Sequence, residues 1–307
     1  MKTLRPLLMR RNLLLFFILC LFCLYTKGQE IDTTFIYTYP NASWITSYLS
    51  TSAVNMTTED KTFEPNNPLK IGVGLGIRNT MINFLVGTKI VSLKDKTYGK
   101  TSSTDFQVHR YGRKFVTDIY FQRYKGFFAM DGEDTKLFPA MKINQMGLEQ
   151  TYVFNHTRFS LKAAFERSER QLQSAGSFLL GANVYWHQLR DFEGFDGNFV
   201  QNLDNLQIGA QGGYVHSWAL GQHWLITAYT TIGFNIGNDV ENFRNFRFKV
   251  YPTVLARTVA SYAKNDWSFT YGMVINNKMN FFETKKDYTV TNVNLQLSVT
   301  RQINFSF

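Results

Sequence analysis

The sequence contains little cysteine and proline and, beyond its first 28 residues, no long apolar run. Both cysteines, Cys20 and Cys23, lie in that first segment, so the remaining chain has no disulfide, thiol or cysteine metal site. No later stretch is apolar enough, for long enough, to predict a membrane-spanning helix. These absences argue against a disulfide-built secreted domain and a helical membrane protein.

The first 28 residues have the layout of a secretory signal peptide. A basic start is followed by an apolar core of about a dozen residues at 13–24 and a polar stretch that ends at Gly28. Leu19 and Phe22 precede the cysteines where a lipoprotein signal needs a small residue, so a lipoprotein is the weaker alternative. We predict a cleaved signal peptide at 1–28, a periplasmic N-terminal segment at 29–42 and the main domain at 43–307.

Removal of this segment weakens the basic charge of the chain. Of 33 Lys and Arg residues, five lie in the segment (Lys2, Arg5, Arg10, Arg11 and Lys27), which leaves 28 against 23 Asp and Glu. An excess of about five positive charges gives no reason to expect nucleic acid as a partner. Aromatic residues are the real excess, with 28 Phe and 16 Tyr.

Apolar and polar residues alternate over long stretches of the remaining chain. Ile71, Val73, Leu75 and Ile77 occupy every second position, with glycines between them. The same period of two runs through 159–166, 224–234 and 292–307. Such alternation predicts strands with lipid on one face and a polar lumen on the other, as in an antiparallel transmembrane β-barrel. A soluble periplasmic β-sandwich is the alternative fold.

The spacing of turns predicts about twelve strands. Outer-membrane barrels join their strands by short periplasmic turns and long outer loops. Five short turns are expected near 78–80, 112–113, 155–157, 220–221 and 265–266, and six long loops near 57–68, 91–102, 129–141, 189–205, 237–246 and 280–287. The stretch 158–188 must cross the membrane once although it is long enough for two strands. An overlong strand, or a segment folded into the lumen, is therefore expected there.

Aromatic residues occupy positions typical of membrane barrels. Ile303, Phe305 and Phe307 share one face of the last strand and resemble a C-terminal barrel-assembly signal. Tryptophan favours the membrane interface because its ring can lie in hydrocarbon while its N–H meets water. The expected interface residues are Trp186, Trp218, Trp224 and Trp267.

Several stretches resemble a family found in Bacteroidetes genomes, domain of unknown function 4421. They include Phe115-Val116-Thr117-Asp118, the run 122–126, the run 151–155, and Glu169-Arg170-Gln171 with the residues up to Ser177. The resemblance covers most of the chain after the signal peptide. It implies an outer-membrane barrel and no assigned activity.

Sending the apolar face to lipid places a mixed set of polar residues in the lumen. The expected lumen network is Gln107, His109, Asp118, Gln122, Glu149, Lys162, Glu166 and Arg257. An anion-selective pore lines its constriction mainly with Lys and Arg, whereas charges of both signs pair and fill a narrow barrel. We therefore favour a structural network, with a selectivity filter as the alternative.

No recognisable catalytic motif stands in the sequence. A lipid-modifying hydrolase needs a Ser or His at the membrane rim, and His187 is the best single candidate for that role. The leading hypothesis is a non-enzymatic outer-membrane barrel with a structural or interaction role or limited small-solute passage; the alternative is such a hydrolase. No cofactor or metal is expected. The expected partners are outer-membrane lipid, lipopolysaccharide and the barrel-assembly machinery.

Overall fold

The computed structural model describes residues 31–39, 43–57, 61–66, 68–92, 94–166, 168–193, 200–282 and 287–303. The signal segment 1–28 and residues Phe305 and Phe307 lie outside these ranges. In chain order the elements are β1 (Ile36–Thr38), β2 (Ser43–Thr57), β3 (Thr62–Glu64), β4 (Pro68–Ile77), β5 (Thr80–Ser92), a 3-10 turn (Lys96–Tyr98), β6 (Ser102–Tyr111), β7 (Phe115–Asp131), β8 (Asp134–Val153), α1 (Leu161–Phe165), β9 (Glu169–Gln171), β10 (Ala175–Glu193), β11 (Val200–Leu220), β12 (Trp224–Asn238), α2 (Val240–Arg244), β13 (Lys249–Lys264), β14 (Trp267–Phe282) and β15 (Asp287–Gln302). No helix in these ranges is long and apolar enough to cross a membrane.

Twelve antiparallel strands close into a ring. The wall follows the chain through β2, β4–β8 and β10–β15, and β15 then pairs with β2 from Thr289 opposite Thr57 to Gln302 opposite Trp44. Closure pairs both edges of the sheet, so every wall strand of the described ranges has a paired neighbour on each side. The predicted all-β barrel of about twelve strands is confirmed.

The two faces of the wall separate apolar from polar side chains. On β4, Ile71, Val73 and Leu75 point outward and are more than half exposed. On β2, the inward residues Thr46, Ser50 and Ser52 are buried. An apolar exterior around a polar interior is the arrangement that a barrel needs in lipid.

Short turns gather at one end of the barrel, which we call the short-turn end, and longer connections at the other, the long-loop end. Turns at 78–79, 112–114, 221–223 and 265–266 all lie at the short-turn end. The long loop expected at 129–141 is wrong, because β7 and β8 stay paired up to Asp131 opposite Asp134. That connection is an extended hairpin.

Residues 154–166 and 168–174 form a plug at the short-turn end. The alternation at 159–165 reads as a strand, yet it forms the single turn of α1, whose N-cap Ser160 accepts a hydrogen bond from the Ala163 N–H at 3.1 Å. Strand β9 then pairs with β1, which ties the segment before the barrel to the plug. Phe159 and Leu161 pack on inward wall residues that include Tyr111 and Val215. The alternation is a poor guide here because α1 is only five residues long.

An apolar cluster packs inside the barrel at the long-loop end. Strand β3 crosses between non-adjacent wall strands, since it pairs with both β2 and β7. Phe63 on β3 carries the contact across the lumen, with ring centroids 5.2 Å from Phe138 and 5.1 Å from Phe192. We call this set the cap cluster; it consists of Val54, Met56, Phe63, Tyr124, Phe127, Ala129, Phe138, Met141, Ile143, Leu189, Phe192 and Val290.

Phe63→Ala is expected to lower the free energy of unfolding by about 3–5 kcal/mol, because it leaves a cavity where three rings meet. Urea unfolding followed by tryptophan fluorescence measures the change. Phe246→Ala removes a ring that is 84% exposed and serves as the matched control, with little expected effect. Equal destabilisation by the two substitutions would contradict the cap cluster as a packed unit.

Candidate lumen site

A cavity of about 200 Å³ lies inside the barrel, with Leu161 and Phe165 of the plug on its short-turn side. Six of the residues expected in the lumen line it: Gln107, His109, Asp118, Gln122, Glu149 and Arg257. Glu166 lines an adjoining space of about 80 Å³, which also touches His109 and Arg257. Lys162 lies in the plug and donates to the Asn79 side-chain oxygen at 2.7 Å.

Side chains of β6 and β7 form a continuous hydrogen-bonded row along one wall of the cavity. His109 Nδ1 lies 2.5 Å from Asp118 Oδ1, and its Nε2 lies 3.0 Å from Gln107 Oε1. The Gln107 amide nitrogen donates to Asp105 at 2.8 Å, and the Gln122 amide donates to the other Asp105 oxygen at 2.9 Å. Adjacent strands therefore place the whole row in register.

Lys70 and Asp105 belong to this row but were missed from the sequence. Lys70 is fully buried, with Nζ 3.8 Å from Asp105 Oδ2 and 3.4 Å from the Tyr124 hydroxyl. The Tyr124 hydroxyl in turn lies 2.8 Å from Ser52 Oγ. Lys70 lies on the inward face of β4, as do the glycines of that strand. Alternation along β4 was therefore enough to predict that the Lys70 side chain points into the lumen.

Glu149 on β8 is held by neutral donors. The Tyr185 hydroxyl donates to one carboxylate oxygen at 2.7 Å, and the Gln211 amide donates to the other at 3.1 Å. Hydrogen bonds of this kind stabilise a carboxylate away from bulk water. Tyr185 and Gln211 were also missed, because β8, β10 and β11 meet only in the folded barrel.

Two sets of contacts fasten the plug to the wall. The Arg257 guanidinium of β13 lies 3.8 Å from the Phe165 ring centroid, which is a cation–π contact. Buried Glu169 pairs with Arg113 in the β6–β7 turn, lies 3.6 Å from Lys162 Nζ and accepts a hydrogen bond from Ser160 Oγ at 2.5 Å. Glu169 thus joins Arg113 of the wall to Ser160 and Lys162 of the plug.

Glu166 is a buried acid of the plug. Burial raises its pKa to about 9, although the Ser168 hydroxyl donates to one of its oxygens at 3.1 Å. The other oxygen has no hydrogen-bond partner within the described ranges. Folding therefore takes up a proton at Glu166 at neutral pH.

The raised pKa predicts a pH-dependent stability. The stabilisation that comes from the neutral Glu166 carboxyl is fully present below its ordinary pKa of 4.5 and is lost as pH rises towards about 9. Glu166→Gln should remove this loss. The free energy of unfolding of the variant, relative to that of the unchanged protein, should therefore rise by on the order of 3 kcal/mol between pH 4.5 and 7. Urea midpoints across pH 4.5–9 measure it. The control is Glu133→Gln at an exposed turn, and parallel curves for all three proteins would refute the buried-acid explanation.

His187 does not lie at the rim where a lipid hydrolase would need it. Its side chain points into the barrel, is fully buried and lies with its ring centroid 5.7 Å from that of Tyr185. The adjacent Trp186 points outward instead, because side chains alternate along β10. The expected position of His187 beside an outer loop is therefore corrected to the interior.

The other expected residues lie on the outer surface or beyond the described ranges. Trp186, Trp218, Trp224 and Trp267 are all exposed on the outer face of the wall. Trp218, Trp224 and Trp267 lie near the short-turn end, and Trp186 towards the long-loop end. Ile303 continues the β15 seam by donating its N–H to the Ser43 carbonyl at 2.8 Å.

The fold has several distant likenesses among solved structures. The translocator domain of the autotransporter NalP from Neisseria meningitidis has 10% identity and a TM-score of 0.47, with 86% of this chain and 90% of that chain covered. The COG4313 outer membrane channel from Pseudomonas putida F1 has 10% identity and a TM-score of 0.43, with 90% and 100% covered. The beta domain of the Bordetella autotransporter Brka has 10% identity and a TM-score of 0.42, with 86% and 99% covered.

A comparison with curated proteins gave no match. The family described as a domain of unknown function (DUF4421) matches residues 30–305. This match agrees with the resemblance of the 115–118 and 151–155 stretches, and it spans the plug and all twelve wall strands. The chain therefore belongs to the DUF4421 family.

Proposed function

We propose that this protein is a non-enzymatic β-barrel of the bacterial outer membrane, whose lumen is a closed polar chamber rather than an open diffusion pore. One observation carries the proposal: the cap cluster and the plug occupy opposite ends of the same lumen, with the polar cavity between them. Any passage of small solutes then requires one of these ends to move.

The outer face supports the membrane location. Exposed aliphatic and aromatic side chains cover the wall strands, and the tryptophans near the short-turn end suit a membrane interface. Export by the 1–28 signal peptide, contact with lipid and lipopolysaccharide, and insertion by the barrel-assembly machinery complete this proposal. The hydrolase alternative has less support because it requires an accessible histidine, whereas His187 is buried.

Two measurements test the proposal. The protein should fractionate with outer membranes, require detergent for extraction and migrate faster in gels before heating than after. In planar bilayers the inserted protein should be electrically silent at low voltage, because both ends of the lumen are filled. Constant conductance would overturn the closed chamber, and extraction without detergent would overturn the membrane location.

A further inference from the structure

We infer that the lumen cavity binds a small, uncharged, polyhydroxylated solute of about monosaccharide size. This inference deepens the proposed closed chamber by naming the chemical class that it holds. It depends on the partners that the charged groups of the cavity already have, the polar groups on its two opposite walls and the aromatic rings on its plug side.

The charged groups of the cavity already have partners within the protein. Three carboxylates belong to the site, on Asp105, Asp118 and Glu149, and Glu166 nearby is uncharged at neutral pH. Lys70 lies beside Asp105, and Arg257 lines the cavity itself. Asp118 lies 2.5 Å from His109 Nδ1, and Glu149 accepts hydrogen bonds from Tyr185 and Gln211.

The ring of His109 also has its polar contacts within the protein. Its two ring nitrogens face oxygen acceptors, on Asp118 and on Gln107. The Gln107 amide cannot be reversed without loss of its N–H donation to Asp105, so its oxygen must face the histidine. Each carboxylate of the site therefore already has a partner within the protein. An ionic solute would bring an uncompensated charge into this closed space, whereas a neutral solute would not.

The opposite wall supplies amide groups. Asn276 on β14 and Asn292, Asn294 and Gln296 on β15 face the cavity across from the β6–β7 row. Asn292 is only 9% exposed, and its side-chain oxygen has no hydrogen-bond partner within the described ranges; the same holds for the Asn276 oxygen. Buried acceptors of this kind need a donor. A hydroxyl group can donate to these amides while it accepts from amide N–H groups.

The size and the plug side of the cavity fit a small ring. Tyr111, Phe165 and Tyr229 line it with aromatic surface, which packs against the apolar face of a sugar-like ring. A cavity of about 200 Å³ exceeds the roughly 150 Å³ that holds benzene in an engineered protein core. One small ring, or a cluster of water molecules, would fill it.

Equilibrium dialysis of the detergent-solubilised barrel, refolded in the presence of each radiolabelled probe, tests the inference. A probe that is present during refolding can enter before the barrel closes. Slow entry into the finished barrel is then not mistaken for a lack of binding. The uncharged probes are xylitol and D-glucose, and the charged probes are D-gluconate and D-glucosamine. We expect retention of an uncharged probe, at most one per barrel, and no retention of the charged ones. Retention of no probe, or equal retention of charged probes, would overturn the inference.

Asn292→Leu should weaken retention about tenfold, because it removes a hydrogen-bonding side chain that lines the cavity. Asn276→Leu should act in the same direction and covers the case in which the first variant folds poorly. Asn55→Leu is the matched control: it makes the same substitution on the neighbouring strand β2, but between the inward residues Val54 and Met56, so it faces outward. If Asn292→Leu and Asn55→Leu retain the probe equally, the amide wall is not the site. Bilayer recordings remain a separate outcome, because a silent barrel that retains no probe refutes this inference alone.

Discussion

Gly76→Ala is expected to prevent most of the chain from reaching the folded barrel. An added Cβ would lie 1.9 Å from Cε2 of Trp44, which is 2% exposed. Trp44 and Gly76 are directly paired across β2 and β4, so the ring cannot withdraw without distortion of the wall. The overpacking should cost roughly 3 kcal/mol or more. The measurement is the fraction of protein that shows heat-modifiable migration after refolding, together with its urea midpoint.

Two further variants make this prediction specific. Gly272→Ala adds the same methyl group to β14, but the nearest atoms lie at 3.9 Å, so its stability should change little. Trp44→Ala combined with Gly76→Ala removes the clash and should recover much of the folded fraction relative to Gly76→Ala alone. A similar loss in both glycine variants, or no recovery in the double variant, would show that strand propensity rather than the Trp44 ring governs the effect.

Glu169→Ala is expected to release the plug while the barrel remains closed. The substitution leaves Arg113 and Lys162 facing a site without their shared carboxylate. Removal of one partner from a buried ion pair typically costs about 3–5 kcal/mol. Opening of the plug should then become roughly 150- to 5000-fold more frequent. Hydrogen–deuterium exchange of peptides from 154–174 measures this, because local opening exposes their amides.

The wall strands provide the internal reference for this experiment. Exchange in β10 to β14 should stay unchanged, since these strands are held by ladder hydrogen bonds that Glu169 does not join. Gln173→Ala, at an exposed position of the same segment, should leave plug exchange unchanged. Faster exchange throughout the barrel would mean that Glu169 supports the whole fold. Unchanged exchange at 154–174 would refute its role in the plug.

The barrel wall could be predicted from the sequence because a strand in lipid is constrained at every residue. Alternation with a period of two identified the outward faces of β4, β12 and β15, and the turns gave the strand number. The 129–141 hairpin was missed for the converse reason. At the tip of this hairpin Gly132, Glu133 and Asp134 are exposed, so water meets both faces and the alternation disappears.

The candidate site was predictable only in part. The inward residues of single strands, such as His109 and Asp118, follow from alternation alone. The contacts of Glu169 with Arg113, and of Lys70 with Asp105, join positions far apart in the chain. Such pairs depend on the stagger of the strands around the ring. They also depend on the plug, whose short helix has the apolar alternation that is typical of a strand. No local signal specifies them.

The seam between β2 and β15 also determines the order in which the molecule can form. Most other wall contacts join strands that are neighbours along the chain, so hairpins can add one after another. The seam instead joins Trp44 with Gln302 and has the highest contact order in the ring. Before β15 docks, β2 and β14 each present a row of unpaired backbone N–H and C=O groups, which favours pairing with other chains. Closure is therefore a single late event. A chain truncated before β15 would keep two unpaired strand edges that can pair with other chains.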